Sequence, residues 1–367
     1  MTEKPLRPRL AILRNEMARD HVQWVQACEQ LAHRITWDVI ELTADDWWER
    51  LCQGRYDGLL AQPTGWSSRM KALYDDRIAR VEQELHLPMI PCMAEIMIYE
   101  NKRALASWLR TNAVPHAETH VFDSPEGALR FLEGTAFPLV AKTSMGAGGS
   151  GVRVLRSAEE AKKYVRTTFH GQGAPRASGP KWKSPGFLLR ALRKLSDPSE
   201  LMERLRAYRS ISNDAQRDHV LFQAFVAHRF EWRAVRIGDS FFAHKKLVQG
   251  EKASGSLLKE YGDPPLALLE FVRELTQRHG FRSVAVDVFE NPTGGYLVNE
   301  IQCVFGQSDP YQMLVNGEPG RYRHDQDAWR FEPGDFNRYG SYLLRLQYFL
   351  DLFDRRRLPA PAASSER

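Results

Sequence analysis

The sequence predicts a mixed α/β and α+β protein: a small N-terminal domain on a parallel sheet, followed by a larger region built from strand hairpins. Three observations predict it. Up to about Tyr99, short apolar runs alternate with amphipathic helical stretches, the pattern of βαβ units. Beyond it, runs of alternating apolar and polar residues come in pairs across Gly-containing turns, the pattern of antiparallel hairpins. The 367 residues, 43% of them apolar, suffice for two or three globular units and exclude a disordered chain.

In order, "RLAIL" reads as a strand, "HVQWVQACEQLAH" as an amphipathic helix, "WDVIEL" as a second strand, "DDWWERLCQG" as a helix and "YDGLLAQP" as a third strand. No Gly-rich turn follows the first strand, so this domain is a poor nucleotide site. A helix carrying Leu105, Trp108 and Leu109 on one side comes next, and then "SPEGALRFL", a helix with Ser124 as cap and Pro125 at its first position. From Arg166 to Arg217 the chain turns basic, with Lys181, Lys183, Arg190, Arg193, Lys194, Arg204, Arg206 and Arg209. We read a loop plus one or two surface helices, a solvated insertion in preference to a polyanion site. The "PAPAASSER" end should be disordered.

Composition narrows the function classes. The 51 Lys+Arg against 46 Asp+Glu leave a net charge of +5, which suits small anionic ligands and nucleic acid alike. The basic insertion carries little interleaved aromatic character and no recognition motif, which argues against nucleic acid. Cys28, Cys52, Cys92 and Cys303 lack zinc-finger or C-x-x-C spacing, so reduced thiols, buried or inert, are expected. "MTEKPLRPRLAIL" has no signal-peptide core and no later run is long enough to span a bilayer; the expectation is a cytoplasmic protein.

Within "PLVAKTSMGAGGSGVRVL", Gly146, Gly148 and Gly151 have the spacing G-x-G-x-x-G. A dinucleotide loop would open a helix and be followed about 20 residues on by an acid, whereas here a strand-like "VRVLR" follows and no acid lies between Val165 and Lys183. A protein-kinase loop has its lysine downstream, whereas Lys142 precedes these glycines, and no G-K-[ST] marks a P-loop. What remains is strand, lysine, Gly/Ser loop, strand. It is either a lid over a polyphosphate or a structural turn.

"EWRAVRIGDSFFAHKKLV" alternates about a Gly238-Asp239 turn. A two-residue turn would place Glu231, Arg233, His244 and Lys246 on one face, and Trp232, Arg236 and Lys245 on the other. In "SVAVDVFENPTGGYLVNEIQ", Asp287 interrupts an apolar strand, and Glu300 and Gln302 share a face of the returning one. These oxygen donors suit Mg²⁺; the alternative is a buried acid paired with a cation. Under the metal reading, Asp287→Asn would abolish turnover and leave the fold intact.

Taken in order, Lys102, Lys142, the Gly-rich hairpin, "VLFQAFV", "EWR", Asp287 and "NEIQ" resemble the ATP-grasp superfamily of ATP-dependent carboxylate ligases, over roughly Tyr99 to Leu350. The resemblance implies an N-terminal domain over 1–98 and an ATP-grasp domain over 99–355, with a lid-bearing subdomain near 115–215, a metal-binding one near 216–355 and a tail over 356–367. It implies that Lys102, Lys142 and the loop of Gly146, Gly148, Gly149, Ser150 and Gly151 meet the ATP phosphates, and that Gln223, Ala224, Phe225 and Val226 edge the adenine. Asp287, Glu300 and Gln302 would hold Mg²⁺, with Mn²⁺ as the alternative, and Arg233 and Lys246 would be the catalytic cations. The pattern departs where a hinge Gln-Glu is Gln223-Ala224, where the final metal ligand, often Asn, is Gln302, and where the Asp of Asp-x-Arg is Glu231.

The reaction so implied joins a carboxylate and an amine through an acyl phosphate, releasing ADP and phosphate; the alternatives are a small-molecule kinase and a non-catalytic ATP-binding module. Ser67, Arg69, Lys71, Gln307 and Ser308 are expected substrate contacts, with His244 a polar lining residue. A homodimer is left open.

Overall fold

The computed structural model describes residues 7–146, 149–174, 214–249, 252–253, 258–305 and 309–357. Gly148, Gln307, Ser308, the basic stretch from Lys181 to Arg209 and the tail beyond 357 lie outside the described residues.

Strands Thr36–Glu41, Arg9–Arg14, Gly58–Ala61 and Met89–Ile90, in that spatial order, form the expected parallel sheet. Alternation sends Leu10, Ile12 and Leu60 into one core and Ala11, Leu13, Leu59 and Ala61 into another, so both faces are covered, as a parallel sheet requires. On the second face lies helix Ser68–Leu85, which the sequence reading passed over although Tyr74, Ile78 and Val81 mark its buried stripe. The first face holds a departure from expectation. The short helix Val22–Gln30 shares it with the C-terminal helix Tyr342–Arg357, whose Leu346, Phe349 and Leu350 enter the same core. Tyr342 meets Trp24 edge-on at 4.7 Å. Residues 342–355 were expected with the metal-binding subdomain; in fact the helix serves both parts, since Leu344 packs into the central sheet's core.

The part expected to bear the lid is an antiparallel sheet in the order Thr119–Phe122, Val220–Ala224, Leu139–Lys142, Val152–Leu155, backed by helices Pro125–Glu133 and Ala158–His170. Ser124 caps its helix by accepting from Gly127 N at 3.2 Å, and the residues after the glycine loop do form a strand.

The central sheet runs Tyr296–Gln302, Ser283–Glu290, Phe230–Ile237, Ser240–Gln249, Glu318–Asp325, Leu314–Val315, with Lys252–Ala253, Lys259–Glu260 and Ala328–Pro333 at its margins. The Gly238-Asp239 turn has two residues, with Gly238 at φ +58°, and the pairing is Arg233 with His244 and Glu231 with Lys246. One face is covered by helix Leu266–Arg278. Ile98, Leu105 and Leu109, from the segments that follow the N-terminal sheet, and Leu344 join the same core. Among the described residues no helix is long and apolar enough to cross a membrane, and the four cysteines are unpaired, with Cys52 exposed.

Candidate active site

The charged residues picked out by alternation converge at one end of the central sheet. Asp287, buried to 1%, accepts from Arg233 in a bidentate pair, Nε to Oδ1 at 2.8 Å and Nη2 to Oδ2 at 2.9 Å. Lys246 Nζ donates to the same Oδ2 at 2.8 Å and to Glu231 Oε2 at 2.7 Å. Burial opposes the Asp287 charge, but Arg233 and Lys246 outweigh it and hold the carboxyl well below its ordinary range. Lys246 is the mirror case: burial disfavours the ammonium, Asp287 and Glu231 restore it, and its pKa ends raised.

The strand carrying Glu300 contains a bulge that reasoning by alternation could not see. Asp287 pairs with Glu300, but Val288 pairs with Val298, so Asn299 is the extra residue and turns toward the site. Its Oδ1 accepts from Lys142 Nζ at 2.7 Å and its Nδ2 donates to Glu231 Oε1 at 3.2 Å. Asn299 thus ties the lid lysine to the acidic end of the sheet. A segment beside the bulge explains its place: Val298 N donates to Pro115 O at 2.8 Å, taking the strand's outer edge.

Lys142 approaches from strand Leu139–Lys142 and Lys102 from the start of helix Lys102–Thr111. Lys102 Nζ lies 3.3 Å from Glu300 Oε1 and donates to Gly146 O at 3.2 Å. Lys142 is buried to 7% exposure; burial, against the pull of Glu300 and Glu231, lowers its pKa to about 8. Glu100 is a second residue the reading missed. It accepts from Gly146 N at 2.9 Å, so an amide expected at a phosphate here meets a carboxylate. Nothing in the local sequence marks Glu100, because its reach depends on the chain's turn at φ +48°.

Several expected residues have contacts within the protein. Gly151 is needed for close packing: a Cβ there would lie 1.7 Å from Thr143 Oγ1. Gly149 and Ser150 lie at the loop's return, just before strand Val152–Leu155. Gln223 is buried, with Nε2 donating to Thr119 Oγ1 at 3.1 Å; Ala224 N donates to Glu118 O at 2.8 Å, and Phe225 is 40% exposed. Val226 O accepts from His228 Nδ1 at 2.7 Å. Gln302 accepts from Arg233 Nη2 at 3.0 Å. His244 is buried beside the cluster, Nδ1 on Gln312 O at 2.9 Å, and burial lowers its pKa to about 3, so it stays neutral. Ser67 caps helix Ser68–Leu85, and Lys71 is buried on Asp75 and Ile96 O, which removes it from the substrate contacts; Arg69 is exposed. Among the described residues no cluster of three or more His, Cys, Asp and Glu is placed to hold a metal.

Residues 101–178, the stretch bearing Lys102, Lys142 and the glycine loop, match the family model described as the carbamoyl-phosphate synthase L chain, ATP binding domain. No curated protein sequence matches the chain. Among solved structures, carboxyaminoimidazole ribonucleotide synthase from Aspergillus clavatus, complexed with ATP, superposes with TM-score 0.52 at 13% identity, covering 97% of this chain and 78% of its own. The biotin carboxylase domain of 2-oxoglutarate carboxylase from Hydrogenobacter thermophilus, with MgADP, ADP and bicarbonate, gives 0.50 at 14%, covering 83% and 66%. A RimK domain ATP-grasp protein from Sphaerobacter thermophilus gives 0.49 at 16%, covering 82% and 93%. The matched ATP-binding stretch and the superposition over most of the chain agree with the order of sheets seen here: the chain has the ATP-grasp fold.

Proposed function

We propose that the protein is an ATP-dependent ligase that joins a carboxylate to an amine, with its nucleotide held between the lid sheet and the charged end of the central sheet. One observation carries the reading: Lys102, Lys142, Arg233 and Lys246 converge from two sheets and a helix onto Glu231, Asp287, Asn299 and Glu300. A cationic cluster that joins a closing hairpin to a rigid sheet suits a polyphosphate, and the matched family model and the ATP held by the Aspergillus enzyme point to ATP. The carboxylate attacks the γ-phosphoryl group to give an acyl phosphate and ADP, and the amine then displaces phosphate. Phosphoryl transfer asks the protein mainly for position and charge. Asp287 and Glu231 hold Arg233 and Lys246 in place before substrate arrives, while Lys142 comes from the hairpin strand Leu139–Lys142 and Lys102 from the start of helix Lys102–Thr111.

Of the three expected metal donors, Glu300 is the one that neither Arg233 nor Lys246 engages. That carboxylate is partly exposed and its contact with Lys102, 3.3 Å, is longer than a charge-assisted hydrogen bond. Gln302 and Asp287 stand beside it, and Mg²⁺ bound there would add positive charge against phosphate oxygens.

Titrating MgATP calorimetrically into wild type and Lys142→Ala, then screening carboxylates with and without amines for ADP release, tests the reading. Release that requires both partners is the expected result; folded wild-type protein that binds no ATP overturns it. The second reading, a non-catalytic ATP-binding module, is favoured by the occupation of both Asp287 oxygens by Arg233 and Lys246. Binding without release for every pair would select it.

A further inference from the structure

A second buried guanidinium lies where the central-sheet core and a core of the N-terminal sheet meet. Arg345, on the C-terminal helix, is 1% exposed. Its guanidinium carbon lies 4.0 Å over the Phe305 ring and 4.6 Å from that of Tyr342. Phe305 belongs to the central-sheet core and Tyr342 to a core of the N-terminal sheet, so Arg345 occupies the seam between them. Stacking covers its faces. Its edge is another matter: among the described residues neither Nε nor Nη2 has a hydrogen-bond partner.

A buried charge left unpaired is costly, and the neighbours relieve it only in part. Glu95 is the carboxylate whose field reaches Arg345, but its Oε1 accepts from Arg282 N and Ser283 N, and its Oε2 from Cys92 N. The Tyr342 hydroxyl donates to Gln62 Oε1 at 2.9 Å, and its oxygen still favours the Arg345 charge, without reaching Nε or Nη2. Arg233 shows what this edge does when filled, since its own Nε and Nη2 take the two oxygens of Asp287.

We propose that Arg345 is a receptor for a carboxylate, binding both oxygens of a small planar oxyanion through Nε and Nη2. This rests on the ligase reading for its biological sense, since it names the group that would anchor the carboxylate substrate. Gln302 accepts from Arg233, and Phe305, three residues on, lies under Arg345, so the two guanidiniums flank one short stretch of chain. A seam between packed units is where a ligand can enter and be enclosed.

The test is thermal unfolding of wild type, Arg345→Met and Arg345→Lys in sodium acetate, succinate or bicarbonate against sodium chloride at equal ionic strength, each repeated with MgATP. A ligand that binds the folded form raises Tm. The expected result is a rise with carboxylate over chloride in wild type, a smaller rise in Arg345→Lys and none in Arg345→Met, whose Tm in chloride equals or exceeds that of wild type. The MgATP-dependent rise should persist in all three. Its absence throughout would count against the ATP reading without touching Arg345. Equal carboxylate responses in wild type and Arg345→Met, or no response in wild type, would overturn the proposal. So would an Arg345→Met protein that fails to fold or melts well below wild type in chloride, because Arg345 would then be a structural cation.

Discussion

The end of the central sheet around Arg233 and the seam around Arg345 bury the same chemical group and treat it in opposite ways. At the first, Arg233 and Lys246 share Asp287, and Glu231 completes the set, so each charge has a partner in hydrogen-bond contact. At the second, Arg345 has aromatic rings beside it and, among the described residues, no hydrogen-bond partner on its Nε or Nη2. Burial alone therefore does not say what a charge is for; the state of its hydrogen-bonding edge does. A filled edge makes a rigid, pre-set surface for a ligand placed beside it, and an open edge makes the contact itself.

The widest separation between the regions should come from deleting one charge in each. Asp287→Asn leaves Arg233 and Lys246 buried with one carboxylate fewer, and breaking a buried pair costs about 3–5 kcal/mol. Urea unfolding should show that loss, against no loss for Arg345→Met. The sequence expects Asp287→Asn to leave the protein folded; the pairing with Arg233 and Lys246 adds a loss of stability to that expectation. A variant as stable as wild type would mean that the Arg233 cluster is no better satisfied than Arg345.

Lys142→Ala comes next, because it removes the lid's charge from the filled region without orphaning an acid: Asn299 is its hydrogen-bond partner. A charge-assisted contact is worth about 1.5–3 kcal/mol, so MgATP affinity should fall about 10- to 100-fold. The pH dependence has a definite sign. With its pKa lowered to about 8, Lys142 holds its proton below that value and loses it above, so ATP affinity should decline as pH rises through about 8. Folding moves the other way. The unfolded lysine keeps its proton up to its ordinary value near 10.5, so this group's penalty on stability is full below about 8 and fades between the two values. Calorimetry across pH 7 to 9 checks the first trend, and Lys142→Ala should flatten it.

The filled region was largely legible and the seam was not, for reasons that lie in backbone periodicity. Strict alternation about a two-residue turn brings Arg233 opposite His244 and Glu231 opposite Lys246. Asn299 escaped because a bulge breaks the period of two, putting neighbours Asn299 and Glu300 at the same site. Glu100 escaped because its contact with Gly146 depends on a left-handed turn. Arg345 sits in "YLLRLQYFL", where a lone arginine among leucines reads as the polar side of an amphipathic helix. Its burial follows from the helix packing on two cores at once, and a tertiary arrangement of that kind leaves no local trace.

Gly151→Ala probes how far the filled region depends on its lid. The added methyl would overlap the Thr143 hydroxyl, beside the hydrogen bond from Thr143 N to Gly151 O at 2.9 Å that closes the hairpin. Overpacking of this kind costs about 1–3 kcal/mol. The strain is local to the hairpin, so it should appear as weaker MgATP binding and faster proteolysis near the loop, with carboxylate binding at Arg345 unchanged. Loss at both sites would show that lid and seam are coupled.

The smallest effect concerns the N-terminal side of the seam. The sequence offers Ser67 and Lys71 as substrate contacts, but Ser67 Oγ accepts from Met70 N at 3.3 Å, and Lys71 is spent on Asp75 and Ile96 O. A capping serine exchanged for alanine costs about 0.5–2 kcal/mol of stability. It does so without changing any group that a ligand would touch. Ser67→Ala should therefore lower Tm and leave the KM of whichever carboxylate supports turnover as it was, whereas Arg345→Met should raise that KM without lowering Tm. A Ser67→Ala protein with raised KM and unchanged Tm would move carboxylate recognition from the seam to the start of helix Ser68–Leu85.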